Sequence, residues 1–311
     1  MFMAAYEVAA TGEKVEIGKD RIESGTIAAL IASYYKSSDY TGLAKITKAT
    51  YRNMLERFKA DHGDKRVKML ERKHVQKIVS DKADTPSAAN RLLRMIRLLM
   101  RHAIETGLRK DDPTVGVRKA REKVGGYATW EEPQIDAFLS HHEAGTRAHV
   151  AMCLLLYTGQ RRSDIVRMGR QHIRDGVLTI VQQKTGQVVD IPLHRDLKAL
   201  VESLPLDNLT FITGERGNPM TPESFTNWFR DMVQAVVGPD GKRLLPDGLS
   251  PHGLRKVTCR RLAEAGCSPH EIMAISGHKT LSEVTRYTQA ASRKQLAERA
   301  VATMDRRVKE H

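Results

Sequence analysis

The chain has few aromatic residues, few cysteines and no long apolar run, and each shortage excludes a class of protein. Aromatics make up 5% of its 311 residues and cysteine occurs three times. Cys153, Cys259 and Cys267 are odd in number and show no C-x-x-C spacing. That argues against a disulfide framework and against a zinc site, and it fits a reducing compartment. The longest apolar stretch, Val150 to Tyr157, falls far short of the ~20 residues a membrane helix needs. Met1 to Ala10 lacks the basic start and apolar core of a signal peptide. A cytoplasmic, nucleoid-associated protein without a membrane partner is expected. No P-loop or metal-ligand cluster stands out, so neither a metal nor a cofactor is expected. The opening MFMAAYEVAATGEK reads like the middle of a helix, which leaves room for a segment ahead of it.

Positive charge is abundant. The formal net charge is +14. Residues 1–123 carry 26 Lys and Arg against 16 Asp and Glu, and residues 124–311 carry 25 against 21. Such a balance speaks of partners, and the commonest polyanion is nucleic acid.

Hydrophobic spacing predicts a helical front part. One helix runs over about 25–36, with Ile27, Leu30, Ile31 and Tyr34 on one face. A second is capped by Thr47 and a third covers 71–81. A fourth opens at Thr85-Pro86, ends before Gly107 and buries Leu92, Met95, Ile96, Leu99 and Ile104. Its other face carries Arg91, Arg94, Arg97 and Arg101, either a solvated surface or a row of DNA-backbone contacts; the charge surplus favours DNA. Residues 111–127 combine Pro, Gly and charge without an apolar period and read as a basic linker, with Arg118, Lys119, Arg121 and Lys123. The expected organisation is an unassigned segment 1–23, a helical domain 24–110, the linker, and a second domain over 128–311.

The second domain should open with a helix capped by Thr129 and Glu132, followed by an apolar helix over 146–157 and a short one over 163–168. The run GVLTIVQQKTGQVVDIPL predicts a β-hairpin that turns near Thr185-Gly186, with Lys184 at its tip. Helices follow over 195–204 and 222–237. The fold class is therefore mainly α with a small antiparallel β-sheet. Ser250 and Pro251 open another helix that ends before Gly266. Ser268 and Glu271 box the next, which ends at Gly277, and Thr280 and Glu283 box a third. A final helix is expected over 293–308.

The chemistry concentrates in this last region. His252 and Arg255 are three residues apart on one helix face, His278 follows Gly277, and Tyr287 lies within the third helix. Arg161 follows the Thr158-Gly159 break, with Asp164 three residues on. Alone, each has an ordinary reading: Tyr287 is one of eight tyrosines, and Lys184 a turn lysine. The ordered set is more specific. TGQRRSDI around Arg161, the hairpin lysine, HGLR, SGH and RYT resemble the motifs of the tyrosine recombinase family, of the phage-integrase type. The resemblance is close over about residues 125–290 and looser before them. Asp164 stands where many relatives have glutamate.

The resemblance implies a site-specific DNA recombinase that joins DNA to Tyr287 through a 3′-phosphotyrosyl link, integrating and excising a mobile element. It implies double-stranded DNA as partner and a homotetramer on two DNA sites, with room for an accessory DNA-bending or directionality protein. The chemistry agrees. Cleaving a phosphodiester needs fixed cations at the phosphoryl oxygens, a nucleophile and an acid for the leaving oxygen. Arg161 and Arg255 can supply forked donors and His278 a third hydrogen bond. Tyr287 is the expected nucleophile, His252 its nearest base and Lys184 the general acid. Asp164 is expected to orient a cationic neighbour. Arg162, Lys256 and Arg260 are further candidate phosphate contacts. Alternatives are a type IB topoisomerase-like relaxing enzyme, which needs no partner site, and a DNA-binding protein without catalysis. The final helix is expected to dock on a neighbouring protomer or to pack on its own domain.

Overall fold

In the computed structural model, the described residues are 22–122, 126–205, 208–285, 287 and 301. The expected segment 1–23, Lys123 and the helix over 293–308 lie wholly or largely outside them. The chain divides into two compact units at Val124 and Gly125.

The first unit is all helical: α1 (Ile27–Tyr34), α2 (Ser38–Thr41), α3 (Lys45–His62), α4 (Arg72–Ser80) and α5 (Pro86–Glu105). Helix α3 starts two residues before Thr47, behind Ala44, so Thr47 lies in its first turn and caps nothing. Helix α5 has proline in its first turn as expected, but its buried stripe is Ala89, Leu93, Met95, Ile96, Leu99, Met100 and Ala103. Leu92 is half-buried and Ile104 exposed. The core takes the steps 89, 93, 96, 100 and 103, the repeat of one helix face, with Met95 and Leu99 widening it and Ile104 at its rim.

The stretch read as a linker is fastened to this unit over residues 111–122. Val117 is buried in the helical core. Asn90 grips the backbone of Ala120 with both ends of its amide, at 2.9 and 2.8 Å. Arg72 and Arg97 donate to the carbonyls of Gly116 and Val117. Side-chain amides and guanidinium groups hold this strap, where the composition shows only a lack of apolar period.

The second unit comprises α6 (Glu132–His141), α7 (Arg147–Thr158), α8 (Arg162–Ile165), strands β1 (Ile173–Arg174), β2 (Val177–Val181) and β3 (Val188–Pro192), then α9 (Arg195–Ser203), α10 (Pro222–Gln234), α11 (Pro251–Glu264) and α12 (Pro269–Ser276). Residues 281–285 and 287 are helical as well. Helix α7 is buried almost all round and packs against α11, as a central helix must. The sheet is antiparallel in the order β1-β2-β3, with Val181 opposite Val188 across the predicted turn.

Helix α6 begins two residues later than expected. Its box is Glu131 with Gln134, and Glu132 is left to pair with Arg260 at 2.7 Å and with Arg261. Ser250 holds the cap position of α11, but its hydroxyl makes no capping bond. Its carbonyl accepts from Trp130 Nε1 at 3.0 Å, which ties the start of α11 to the central aromatic core. Among the described residues no helix is long and apolar enough to cross a membrane.

Candidate active site

The site is assembled where four breaks in regular structure meet: the end of α7, the hairpin tip, the start of α11 and the end of α12. Gly159 ends α7 in the left-handed conformation, φ 60°, and Arg161 follows at the cap of α8. Gly277 ends α12 the same way, φ 66°, and turns the chain so that His278 comes next. A β-carbon at Gly277 would also overlap the side-chain amide of Gln182, so two independent constraints call for glycine there. Gly253, between His252 and Arg255, allows the carbonyl of Ala128 to lie directly on α11.

Arg255 is 3% exposed. Its Nη1 donates to the carbonyls of Gly159 at 2.8 Å and Ser276 at 2.7 Å, so one side chain clamps the ends of α7 and α12 together. Its Nη2 is buried and has no hydrogen-bond partner among the described residues. Burial first, then the charge of Arg161, push its pKa down from 12.5 to about 10. It remains a cation at neutral pH, with no carboxylate in direct contact among the described residues.

Arg161 is half-buried and donates through Nη1 to Gln182 Oε1 at 2.8 Å. Asp164, fully buried, accepts from the backbone N–H of Gln183 at 2.8 Å and lies 3.9 Å from Arg167. Its direct work is thus to pin the hairpin one residue before Lys184, and the cation beside it is Arg167. Lys184 is exposed on that tip.

His278 is half-buried, with Nδ1 2.6 Å from the hydroxyl of Ser276. That hydroxyl is also 2.6 Å from the carbonyl of Ile272, to which it can donate its single proton. The imidazole then carries its own proton on Nδ1, and this tautomer is inferred from the bonding pattern. Desolvation, then Arg255, lower the pKa of His278 to about 4, with Arg161 and His252 adding to the effect and Glu283 opposing it. Desolvation, followed by Arg255, Lys256, Arg161 and Lys184, also lowers that of His252. The His252 ring packs against Tyr127, centroids 4.7 Å apart. Tyr287 is half-buried, against Cys259, Ala263, Ile272 and Val284, within electrostatic reach of Arg255. All six predicted side chains therefore share one neighbourhood.

Sequence reasoning missed the amides beneath them. Gln182 is fully buried and accepts from Arg161 and from Thr185 Oγ1, both at 2.8 Å. It donates to Gln160 Oε1 at 2.6 Å and to the carbonyl of Ser276 at 2.9 Å. Gln160 lies inside the TGQRR run, but nothing local marks an amide as a long-range hub.

The tentative DNA contacts vary in how far the protein already engages them. Arg94 and Arg101 are exposed; Arg91 is exposed too but bonds back to the carbonyl of Ser87. Arg97 is taken up by the Val117 carbonyl. Arg118, Lys119 and Arg121 line a cleft with Arg72 in the first unit. Arg162 donates to Thr226, Lys256 to the carbonyl of Tyr127, and Arg260 to Glu132. Among the described residues no group of three or more His, Cys, Asp or Glu is arranged to hold a metal ion.

Comparison with known proteins gives the same picture over nearly the whole chain. Residues 129–294 match the phage integrase family and residues 28–120 the phage integrase central domain. The integrase of Escherichia phage HK022 is 26% identical over 91% of this chain and 82% of its own length. The tyrosine recombinase XerD of Xanthomonas campestris pv. campestris is 28% identical over 66% of this chain and 68% of its own. The fold is similar to that of lambda integrase in a tetramer bound to a Holliday junction, with TM-score 0.74 and 21% identity over 91% of this chain and 84% of that one. The chain belongs to the phage integrase family, the tyrosine-type site-specific recombinases that cut and rejoin DNA.

Proposed function

We propose that the second unit binds a DNA phosphodiester at Arg255 and Arg161 and transfers it to Tyr287. One observation carries this reading: a buried guanidinium, its Nη2 unmatched among the described residues, beside a second arginine. A buried cation without a counterion is costly, and such costs collect where a ligand of opposite charge is to be bound. A phosphodiester supplies one negative charge and two non-bridging oxygens, which two forked donors can share.

In the reaction, the Tyr287 oxygen forms a bond to phosphorus as the bond to the 5′ oxygen breaks. The phenol needs a proton acceptor, because its unperturbed pKa is about 10. His252, with its pKa lowered, is neutral at pH 7 and able to accept that proton. Lys184 gives a proton to the leaving 5′ oxygen. His278 must donate through Nε2, so phosphate binding should bring it a proton. The product is a 3′-phosphotyrosyl link and a free 5′ hydroxyl, and a partner strand's hydroxyl reverses the step. One ester is exchanged for another, so no ATP is consumed.

The same reading gives the helical residues 24–110 a supporting role in DNA binding, and residues 128–311 the catalysis. Arg94 and Arg101, together with Arg118, Lys119 and Arg121, are its backbone contacts. The substrate is double-stranded DNA in the cytoplasm, and the event is integration and excision of a mobile element. A homotetramer on two DNA sites is proposed from the assembly of lambda integrase on a Holliday junction. An accessory DNA-bending or directionality protein would act with it.

A nicked suicide substrate tests the central claim, since loss of the fragment after cleavage traps the covalent adduct. The wild-type chain should accumulate it and Tyr287→Phe should form none on denaturing gels. An adduct with Tyr287→Phe would sink the nucleophile assignment.

A further inference from the structure

We infer that Gln182 is the positioning residue of the leaving-group step: its side-chain amide sets the pose of the Lys184 hairpin tip against Arg161 and the turn that precedes His278. The inference rests on the function proposed above and names a residue that chemistry alone would pass over.

The orientation of this amide is determined by its partners. An arginine can only donate, so the Gln182 atom facing Arg161 Nη1 is oxygen. The other end then faces two acceptors, Gln160 Oε1 and the Ser276 carbonyl, as an amide nitrogen should. Gln160 is fixed in turn, because its own nitrogen donates to the carbonyls of Thr158 at 3.1 Å and Ile275 at 2.7 Å. Both donors and both lone pairs of Gln182 are used, inside a fully buried site. Such a network has one satisfied arrangement, and breaking one member leaves another unmatched.

The network ends at the hairpin tip. Thr185, next to Lys184, donates its hydroxyl to Gln182 Oε1. The backbone of Gln182 closes the same loop: its N–H donates to the Gln187 carbonyl and its carbonyl accepts from Gly186, both at 2.8 Å. Asp164 holds the residue between, through the N–H of Gln183. Lys184 is thus an exposed side chain on a loop whose base is tied, through one buried amide, to Arg161 on one side and to Ser276 on the other. Gly277 is part of the same device, since only a residue without a β-carbon leaves room for this amide. An acid misplaced by about 1 Å can lose on the order of 10²-fold in rate, so the tether is where the lysine's efficiency would be set.

The test separates a misplaced acid from a weakened fold. Single-turnover cleavage is measured on two suicide substrates: ordinary DNA, and DNA with sulfur in place of the bridging 5′ oxygen. A thiolate leaves readily without protonation, so the second substrate does not need the acid. Lys184→Ala sets the benchmark, slow on ordinary DNA and restored on the thio substrate. Gln182→Met keeps the volume and removes the four bonds; it should slow ordinary cleavage by about 10- to 100-fold and be restored to within about threefold of wild type by sulfur. Thr185→Val removes only the bond at the tip, at a half-buried site, and should show a weaker effect of the same kind even if Gln182→Met folds poorly. Equal slowing of both substrates by Gln182→Met and Thr185→Val would overturn the inference, as would wild-type cleavage by both. Failure of sulfur to restore Lys184→Ala would instead refute the acid role of Lys184, and the positioning role with it.

Discussion

The two units handle positive charge in opposite ways. In the helical unit, Arg94 and Arg101 stand exposed on α5. They keep their hydration until a partner arrives. In the second unit, Arg255 is buried, clamped to two carbonyls and left with an unmatched nitrogen among the described residues. Its desolvation is already met by the fold. The first arrangement favours attraction to any polyanion, and the second favours one anion in one geometry. An exposed charge should therefore govern affinity and its salt dependence, and a buried one the rate.

The largest effect follows from the buried cation. Arg255→Lys keeps the charge but cannot hold two carbonyls and also fork toward a phosphate. Single-turnover cleavage should fall by roughly 10²–10³-fold, with DNA affinity in gel shifts within a fewfold of wild type. Cleavage within tenfold of wild type would mean that the buried guanidinium does not read the transferred phosphoryl group.

The same contrast explains how much of this protein can be read from its sequence. Local punctuation makes several of the candidate site residues easy to single out: Gly159 precedes Arg161, Gly277 precedes His278, and a serine and proline precede His252. Glycine and proline act locally, so a local reading finds them. Gln182 is not legible, because three of its four side-chain partners, Arg161, Gln160 and Ser276, lie 21 or more residues away. The strap over residues 111–122 was missed for the same reason, since Asn90 holds it from 30 positions away. Local ambiguity accounts for smaller errors. Thr129 with Glu132 and Glu131 with Gln134 both look like caps, and the pull of Arg260 and Arg261 on Glu132 decides between them. Leu92 and Leu93 are adjacent leucines, and only the packing of the whole helix selects Leu93. The two-residue strand β1 is too short to leave a periodic trace.

A second effect sharpens the contrast through pH. The second unit's site also holds His278, whose pKa is lowered to about 4 by desolvation and by Arg255 and Arg161, with Glu283 opposing. The unfolded chain binds this proton near pH 6.5 and the folded chain does not until about pH 4. Stability from this group is therefore complete above pH 6.5 and is lost as pH falls toward 4. The loss should be on the order of 1–3 kcal/mol by urea unfolding and should be reduced in His278→Gln, which cannot take up the proton. With DNA bound the sign reverses: the phosphate favours the imidazolium, so binding should take up a proton and tighten as pH falls from 7 toward 6. Identical pH dependence of unfolding in wild type and His278→Gln would show that the histidine is not held neutral by its desolvated site and the arginines.

The smallest expected effect belongs to the exposed row. Arg94→Gln with Arg101→Gln removes two side chains proposed to face phosphate, both of them exposed. Each lost phosphate contact should lower the slope of log affinity against log salt by about 0.9, so the double variant should lose nearly two units of slope. Affinity should fall by about tenfold at low salt and much less at high salt, where counterion release contributes little. Single-turnover cleavage at saturating protein should stay near the wild-type rate, because neither arginine touches the reacting phosphate in the proposed complex. An unchanged salt slope would reduce the arginine row to a solvated face. A large loss of rate at saturation would break the division between affinity and rate on which the comparison rests.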